Sequence, residues 1–189
     1  ACSADSDTLR ITIDPLPMAN AGSDQTFCAD VASITLNGSS TNSTGVSWTG
    51  GAGTFSPNAQ TANATYTPNA GELSSGSVTL TLTTTGNGAC SPASDAVTFT
   101  FDPVPTVNAG ADVSICEDQT SVSLNGSFTG SSGVSWTSSG SGTFSPSSTD
   151  PLASYTPSAA DLSAGSVDLI LTSTGNGNCS AVSDTVSIS

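Results

Sequence analysis

The chain repeats itself at a spacing of 88 or 89 residues, and no other feature limits its possible folds so sharply. Cys28 and Cys116, like Trp48 and Trp136, lie 88 residues apart, while Tyr66 and Tyr155, like Cys90 and Cys179, lie 89 apart. The extra residue enters where SWTGGAGTFSP (47–57) becomes SWTSSGSGTFSP (135–146). Aligned this way, NAGSDQTFCAD (20–30) matches NAGADVSICED (108–118), and YTPNAGELSSGSV (66–78) matches YTPSAADLSAGSV (155–167). A period of this kind sets the number of structural units before any other reading. The first fifteen residues, ACSADSDTLRITIDP, match ACSPASDAVTFTFDP (89–103). Residues 1–14 therefore read as the last strand of a preceding repeat, 15–102 as one repeat and 103–189 as a second, cut from a longer tandem array. DPLP (14–17) and DPVP (102–105) mark the junctions. Paired prolines predict short, stiff connections that hold the repeats head to tail.

Each repeat must fold within about 90 residues, and its pattern is that of strands. Runs such as SVTLTLT (77–83) and SVDLILT (166–172) alternate apolar and polar residues, and nothing shows a helical period. In the second repeat the expected strands are 107–115, 121–127, 133–138, 142–145, 152–156, 165–173 and 183–189. About seven short strands suit an all-β, immunoglobulin-like sandwich. Asn-Gly pairs at 37–38, 87–88, 125–126 and 176–177 predict tight turns. Trp48 and Trp136 are expected in the core against Tyr66 and Tyr155.

Charge removes whole classes of function. Arg10 is the only basic residue, against fifteen Asp and Glu, with no Lys and no His. Such a surface repels phosphates, so a nucleic-acid partner is excluded. No apolar stretch approaches the length of about 20 residues needed to span a bilayer, so no membrane insertion is expected, and no signal peptide heads the chain. Without His or Lys there is no Ser–His–Asp triad, Cys–His dyad or Schiff-base lysine, and the acids recur at repeat-equivalent turn positions. No catalysis and no cofactor are expected.

The pattern NAGxDxxxCxD, LNGS, GVSWT, GTFSP, YTPxxxxLxxGSV and TGNGxCSxxSDxV resembles the PKD-like or immunoglobulin-like repeats of very large Bacteroidota surface adhesins. These include adhesins of gliding motility and others exported by the type IX system. The resemblance covers essentially the whole chain, and its motifs are structural. It implies a stalk or filament on the bacterial outer surface, giving reach and stiffness to adhesion. The partners implied are the neighbouring repeats of the same long chain, with surface glycans or other fibres beyond. The alternative is a module that itself binds a glycan or protein through the loops TGGAG (49–53) and TSSGSG (137–142).

Five cysteines without histidine point to disulfides in an oxidising compartment. Pairing within repeats would join Cys28 to Cys90 and Cys116 to Cys179. In an immunoglobulin-like strand order, however, those positions lie at opposite poles, on the order of 20 Å apart at about 3.3 Å per strand residue, whereas a disulfide needs Cα atoms within about 7 Å. Pairing across a head-to-tail junction would instead join Cys28 to Cys179 and leave Cys2, Cys90 and Cys116 for partners outside these residues. Both schemes stay open on sequence alone.

Two further candidate sites complete the reading. Glu117 and Asp118 in CED (116–118), with SADSD (3–7), are calcium candidates, although no EF-hand loop is present and solvated carboxylates are the default. Asp7-Thr8-Leu9 and Asp184-Thr185-Val186 resemble the Bacteroidota O-glycosylation sequon, which makes Thr8 and Thr185 glycan candidates.

Overall fold

The computed structural model describes residues 2–189. The chain divides into two compact units, one of residues up to 24, 32–72 and 78–98, the other of residues 25–31, 73–77 and 99–189. Apart from two short helices, all regular structure among the described residues is strand.

Residues 18–102 form β1 (Met18–Asn20), β2 (Gln25–Cys28), β3 (Ile34–Thr35), β4 (Ser39–Thr41), β5 (Gly45–Thr49), β6 (Thr54–Ser56), β7 (Thr65–Thr67), α1 (Ala70–Ser75), β8 (Ser77–Thr85) and β9 (Ser94–Asp102). One sheet has the order β2-β9-β8-β5, a second β3-β7-β6, and β1 pairs with β4. Trp48 on β5 faces Leu82 on β8. β2 runs parallel to β9, with Cys28 opposite Asp102.

Residues 106–188 follow with β10 (Thr106–Asn108), β11 (Val122–Ser123), β12 (Ser127–Thr129), β13 (Gly133–Ser138), β14 (Thr143–Ser145), β15 (Ser154–Thr156), α2 (Ala159–Ala164), β16 (Val167–Thr174) and β17 (Ser183–Ile188). The sheets are β13-β16-β17 and β11-β15-β14, with β10 paired to β12. Trp136 faces Leu171, as Trp48 faces Leu82. Where residues 18–102 have β2, this half has one parallel bridge, Val113 to Ile188.

The alternation legible in the sequence becomes the core. In the second unit, Val167, Leu169 and Leu171 of β16 and Val186 and Ile188 of β17 are buried with Trp136 and Tyr155. Trp136 reaches Tyr155 through Phe144, whose ring centroid lies 6.3 Å from that of Trp136 and 5.1 Å from that of Tyr155. Burying side chains of this size stabilises by about 1.5–3 kcal/mol each, which offsets the ordering of many polar loop residues.

Several expectations change on contact with the fold. The strand expected over 107–115 breaks after Asn108, because Gly110 takes a φ of +95° and Asp184 Oδ2 accepts from Ala109 N at 2.8 Å, which turns the chain from β12 toward β17. The strand expected over 121–127 likewise splits into β11 and β12, which pair in different sheets. That crossing is where the Asn125-Gly126 pair sits, and Asn37-Gly38 occupies the same place between β3 and β4. These two pairs are not hairpin turns. Their glycines are needed for space, since a Cβ on Gly38 would stand 2.7 Å from both the Trp48 ring and Ala62 O, and one on Gly126 2.7 Å from Pro151 O. The other two pairs do turn, with Gly88 at φ +62° and Gly177 at φ +58°.

The helices α1 and α2 are also unanticipated, because six residues are too few to show a period. Their signal is a capping box: Asp161 N donates to Ser158 Oγ at 3.1 Å and Ser158 N to Asp161 Oδ2 at 2.8 Å. Asn69 and Glu72 exchange the same bonds, each at 2.9 Å. Residues 2–14 form no strand. Leu9, Ile11 and Ile13 are 85%, 74% and 86% exposed, while Val97, Phe99 and Phe101 at the matching positions are buried. An unpaired strand is not stable alone, and the strand expected over 1–14 finds no pairing partner here; residue 1 lies outside the described residues.

Candidate functional site

The feature with most structural consequence is the Cys28–Cys179 disulfide, with Cα atoms 4.7 Å apart across 151 residues of sequence. Both cysteines belong to the second compact unit, which takes in residues 25–31. β2 brings Cys28 alongside Asp102, and Ala29 N extends the ladder by donating to Asp102 O at 2.8 Å. On the other side, the turn at Gly177 delivers Asn178 and Cys179. Asn178 N donates to Asp102 Oδ2 at 2.7 Å and Asn178 Nδ2 to Thr26 O at 3.0 Å. Cys179 Sγ lies 3.5 Å from both Asp102 O and Pro103 O. Having no proton to donate, the bonded sulfur makes these as packing contacts. A Cβ on Gly177 would collide with the Asp102 carboxylate.

The same arrangement stands half-built in the first unit. Ala89 N donates to Asp14 Oδ2 at 2.9 Å, and Cys90 Sγ lies 3.5 Å from Asp14 O and 3.7 Å from Pro15 O. Gly88 has a left-handed φ, and a Cβ there would meet Asp14. Here Cys90 is a free thiol, as are the exposed Cys2 and Cys116. The pairings Cys28–Cys90 and Cys116–Cys179 are therefore not formed, because Cys28 and Cys179 are already bonded to each other.

Two buried carboxylates support the loops proposed for ligand binding. Tyr66 Oη donates to Glu72 Oε1 at 2.6 Å, Ala52 N to the same oxygen at 2.5 Å, and Gly53 N to Tyr66 Oη at 2.9 Å. Burial alone would raise the Glu72 pKa, but the Tyr66 hydroxyl and the Ala52, Asn69 and Gly53 amides outweigh it and hold the carboxyl below its usual range. Burial, with Glu72 beside it, pushes Tyr66 up to about 12. In the second unit Asp161 accepts from Ser141 N, Gly142 N, Ser158 N and Tyr155 Oη at 2.8–3.0 Å. Burial again opposes ionisation, and the donors led by the Ser158 and Ser141 amides bring Asp161 down to about 2. A carboxylate held this firmly as an anion is a poor general acid. The loops 49–53 and 137–142 spend amides inward on these anchors.

The remaining repeat-equivalent acids act alike. Asp95 and Asp184 accept from Ala21 N and Ala109 N, and Asp24 and Asp112 from Thr98 N and Ser187 N, each at 2.8 or 2.9 Å. Their work is to hold backbone amides across strand ends. Glu117 and Asp118 are exposed, and among the described residues no three His, Cys, Asp or Glu side chains gather as a metal site. Thr8 and Thr185 are both exposed. No described helix is long and apolar enough to cross a membrane. Spacing flagged the cysteines; what it missed was the role of Asp102 and Glu72, whose signals were the repeated DP dipeptide and the capping-box spacing.

No protein-family model matches the chain, and no curated protein matches it. Solved structures do. The N-terminal eight immunoglobulin domains of Down Syndrome Cell Adhesion Molecule match at a TM-score of 0.58 and 13% identity, over 92% of this chain and 27% of that one. Sidekick-1 immunoglobulin domains 1–4 match at 0.52 and 11%, over 94% and 50%. The chain thus spans half or less of the length of these structures. At such identities the likeness is one of fold, and with the nearly all-strand architecture it makes this an immunoglobulin-like β protein.

Proposed function

We propose that the chain is a non-catalytic shaft segment of a large extracellular adhesin, in which consecutive repeats of about 88 residues are stapled by disulfides. The observation that carries this reading is the Cys28–Cys179 bond, which joins residues of the two sequence repeats 15–102 and 103–189. A disulfide of such long span suits an oxidising, extracellular setting. The immunoglobulin-like fold shared with proteins named for cell adhesion supports the same role. The sequence resemblance refines it to a bacterial outer-surface filament of the gliding-motility, type IX-exported kind. Small loops without aromatic residues, whose amides turn inward on Glu72 and Asp161, favour the shaft over a glycan-binding module.

Mapping by non-reducing, Asp-specific digestion and mass spectrometry tests the staple, and small-angle X-ray scattering before and after reduction tests its mechanics. A Cys28–Cys179 peptide together with greater bending on reduction is the expected result. Scattering unchanged by reduction would remove the mechanical role, and saturable binding on a glycan array would favour a binding module.

A further inference from the structure

The second unit holds an open apolar cavity of about 220 Å³ whose lining includes Ile115, Cys116, Leu162, Gly165, Val167 and Ile188. The repeat identifies what belongs there. In residues 18–102 the parallel ladder of β2 and β9 continues through Phe27 opposite Phe101 to Cys28 opposite Asp102. Phe101 is 4% exposed, and its amide donates to Gly76 O at 2.8 Å. Ile115, Cys116 and Gly165 are the counterparts of Phe27, Cys28 and Gly76. Their ladder stops at Ser189, whose carbonyl accepts from Ile115 N at 2.7 Å. The cavity lies where the counterpart of Phe101 would lie.

This chain carries one other copy of that segment. By the repeat, Ile13 and Asp14 correspond to Phe101 and Asp102, and Ile13 is 86% exposed. Asp14 already holds Ala89 N and abuts Cys90, as Asp102 holds Asn178 N and abuts Cys179. One end of the molecule thus presents Ile13, Asp14 and the Cys90 thiol, and the other an apolar cavity with the exposed thiol of Cys116 at its lining. They are the two halves of the arrangement closed at Cys28–Cys179.

We propose that copies of this chain join end to end, with Ile13 of one copy seated in the Ile115–Leu162–Val167–Ile188 cavity of the next and Cys90 of the first bonded to Cys116 of the second. The contact is heterologous, so it propagates as a filament instead of closing as a two-fold dimer. It rests on the staple reading above and names the staple's partner as a second copy. In the covalent step two thiols become one Sγ–Sγ bond. The two protons and two electrons pass to a small-molecule disulfide such as oxidised glutathione, whose own S–S bond breaks to give two thiols. Residues 2–12 of the incoming copy stay outside, since β17 holds the strand position they would need. Glu117 stands where the internal arrangement has Ala29, so like charge opposes the approach of Asp14, and assembly should strengthen with salt.

The test incubates the full chain carrying Cys2→Ser with a mixture of reduced and oxidised glutathione. It reads non-reducing electrophoresis and the mass spectrum of cross-linked peptides. A ladder of multimers containing a Cys90–Cys116 peptide is expected. Added Cys90→Ser or Cys116→Ser should each abolish the ladder, and a mixture of those two variants should stop at dimers. Ile13→Asp should slow multimer formation several-fold while leaving Cys28–Cys179 intact. Monomers only, or links confined to Cys90–Cys90 and Cys116–Cys116, would overturn the end-to-end contact with the staple reading untouched. Loss of the Cys28–Cys179 peptide itself would instead bring down the staple reading, and this inference with it.

Discussion

The Tyr66 hydroxyl donates to Glu72 Oε1 at 2.6 Å, and through that oxygen the β7 strand, the α1 helix and the 49–53 loop share one buried anion. A buried carboxylate is tolerable only with its hydrogen bonds complete. Removing it leaves the Ala52 and Asn69 amides and the Tyr66 hydroxyl without their shared acceptor. Glu72→Ala should cost about 2–4 kcal/mol, more than a single charged hydrogen bond, read from the midpoint of urea unfolding. A loss under about 0.5 kcal/mol, the range of ordinary surface changes, would mean that water replaces the carboxylate.

Asp161 gives the same arrangement a pH signature. Its folded pKa of about 2 lies below the ordinary 3.8, so the folded state favours the anion. The stability this contributes is complete above the unfolded value and drains away as pH falls from about 4 toward 2. Tyr66 works in the opposite direction. Its folded pKa of about 12 exceeds the ordinary 10.0, so stability falls as pH rises across that interval. Thermal midpoints measured from pH 5 down to pH 2 should decline more shallowly in Asp161→Asn than in the parent chain. Parallel acid limbs would show that Asp161 is not a major acid-sensitive group.

Gly177 meets two demands at once, a φ of +58° and the space taken by the Asp102 carboxylate. Gly177→Ala should therefore destabilise by about 1–3 kcal/mol, beyond the roughly 1 kcal/mol of left-handed strain alone. Pairing it with Asp102→Ala in a double-mutant cycle should recover the steric part. Strict additivity would place the whole cost in the backbone.

The Cys28–Cys179 bond spans 151 residues, and closing a long loop in the unfolded chain stabilises by about 2–5 kcal/mol. Cys28→Ser should lower the denaturant midpoint accordingly, and reducing agent should then add nothing further. Equal midpoints for the parent with and without reducing agent would show that the bond is thermodynamically silent.

Arg10 is the chain's single basic residue, and it lies within the exposed, unpaired segment 2–14. Trypsin should release that peptide from the native protein about as fast as from the unfolded one, and leave 11–189 whole. Slow cleavage in the native state would reveal a partner covering the segment.

Sequence alone determined what depends on order along the chain. The repeat, the all-strand character, the buried tryptophans and the alternating faces of β8 and β16 were legible, because hydrophobic period is a local property. So were the left-handed glycines at 88 and 177. The tertiary structure decided what depends on which distant groups meet. Glycine and asparagine read identically at 37–38 and 87–88, yet one pair makes room for Trp48 and the other turns the chain. Composition could not choose among the cysteine pairings, since all three candidate bonds use the same residue type at regular spacing. The choice came from the parallel seating of Cys28 beside Asp102 and from the hold of Asp102 on Asn178, which bring two sulfurs together across 151 residues.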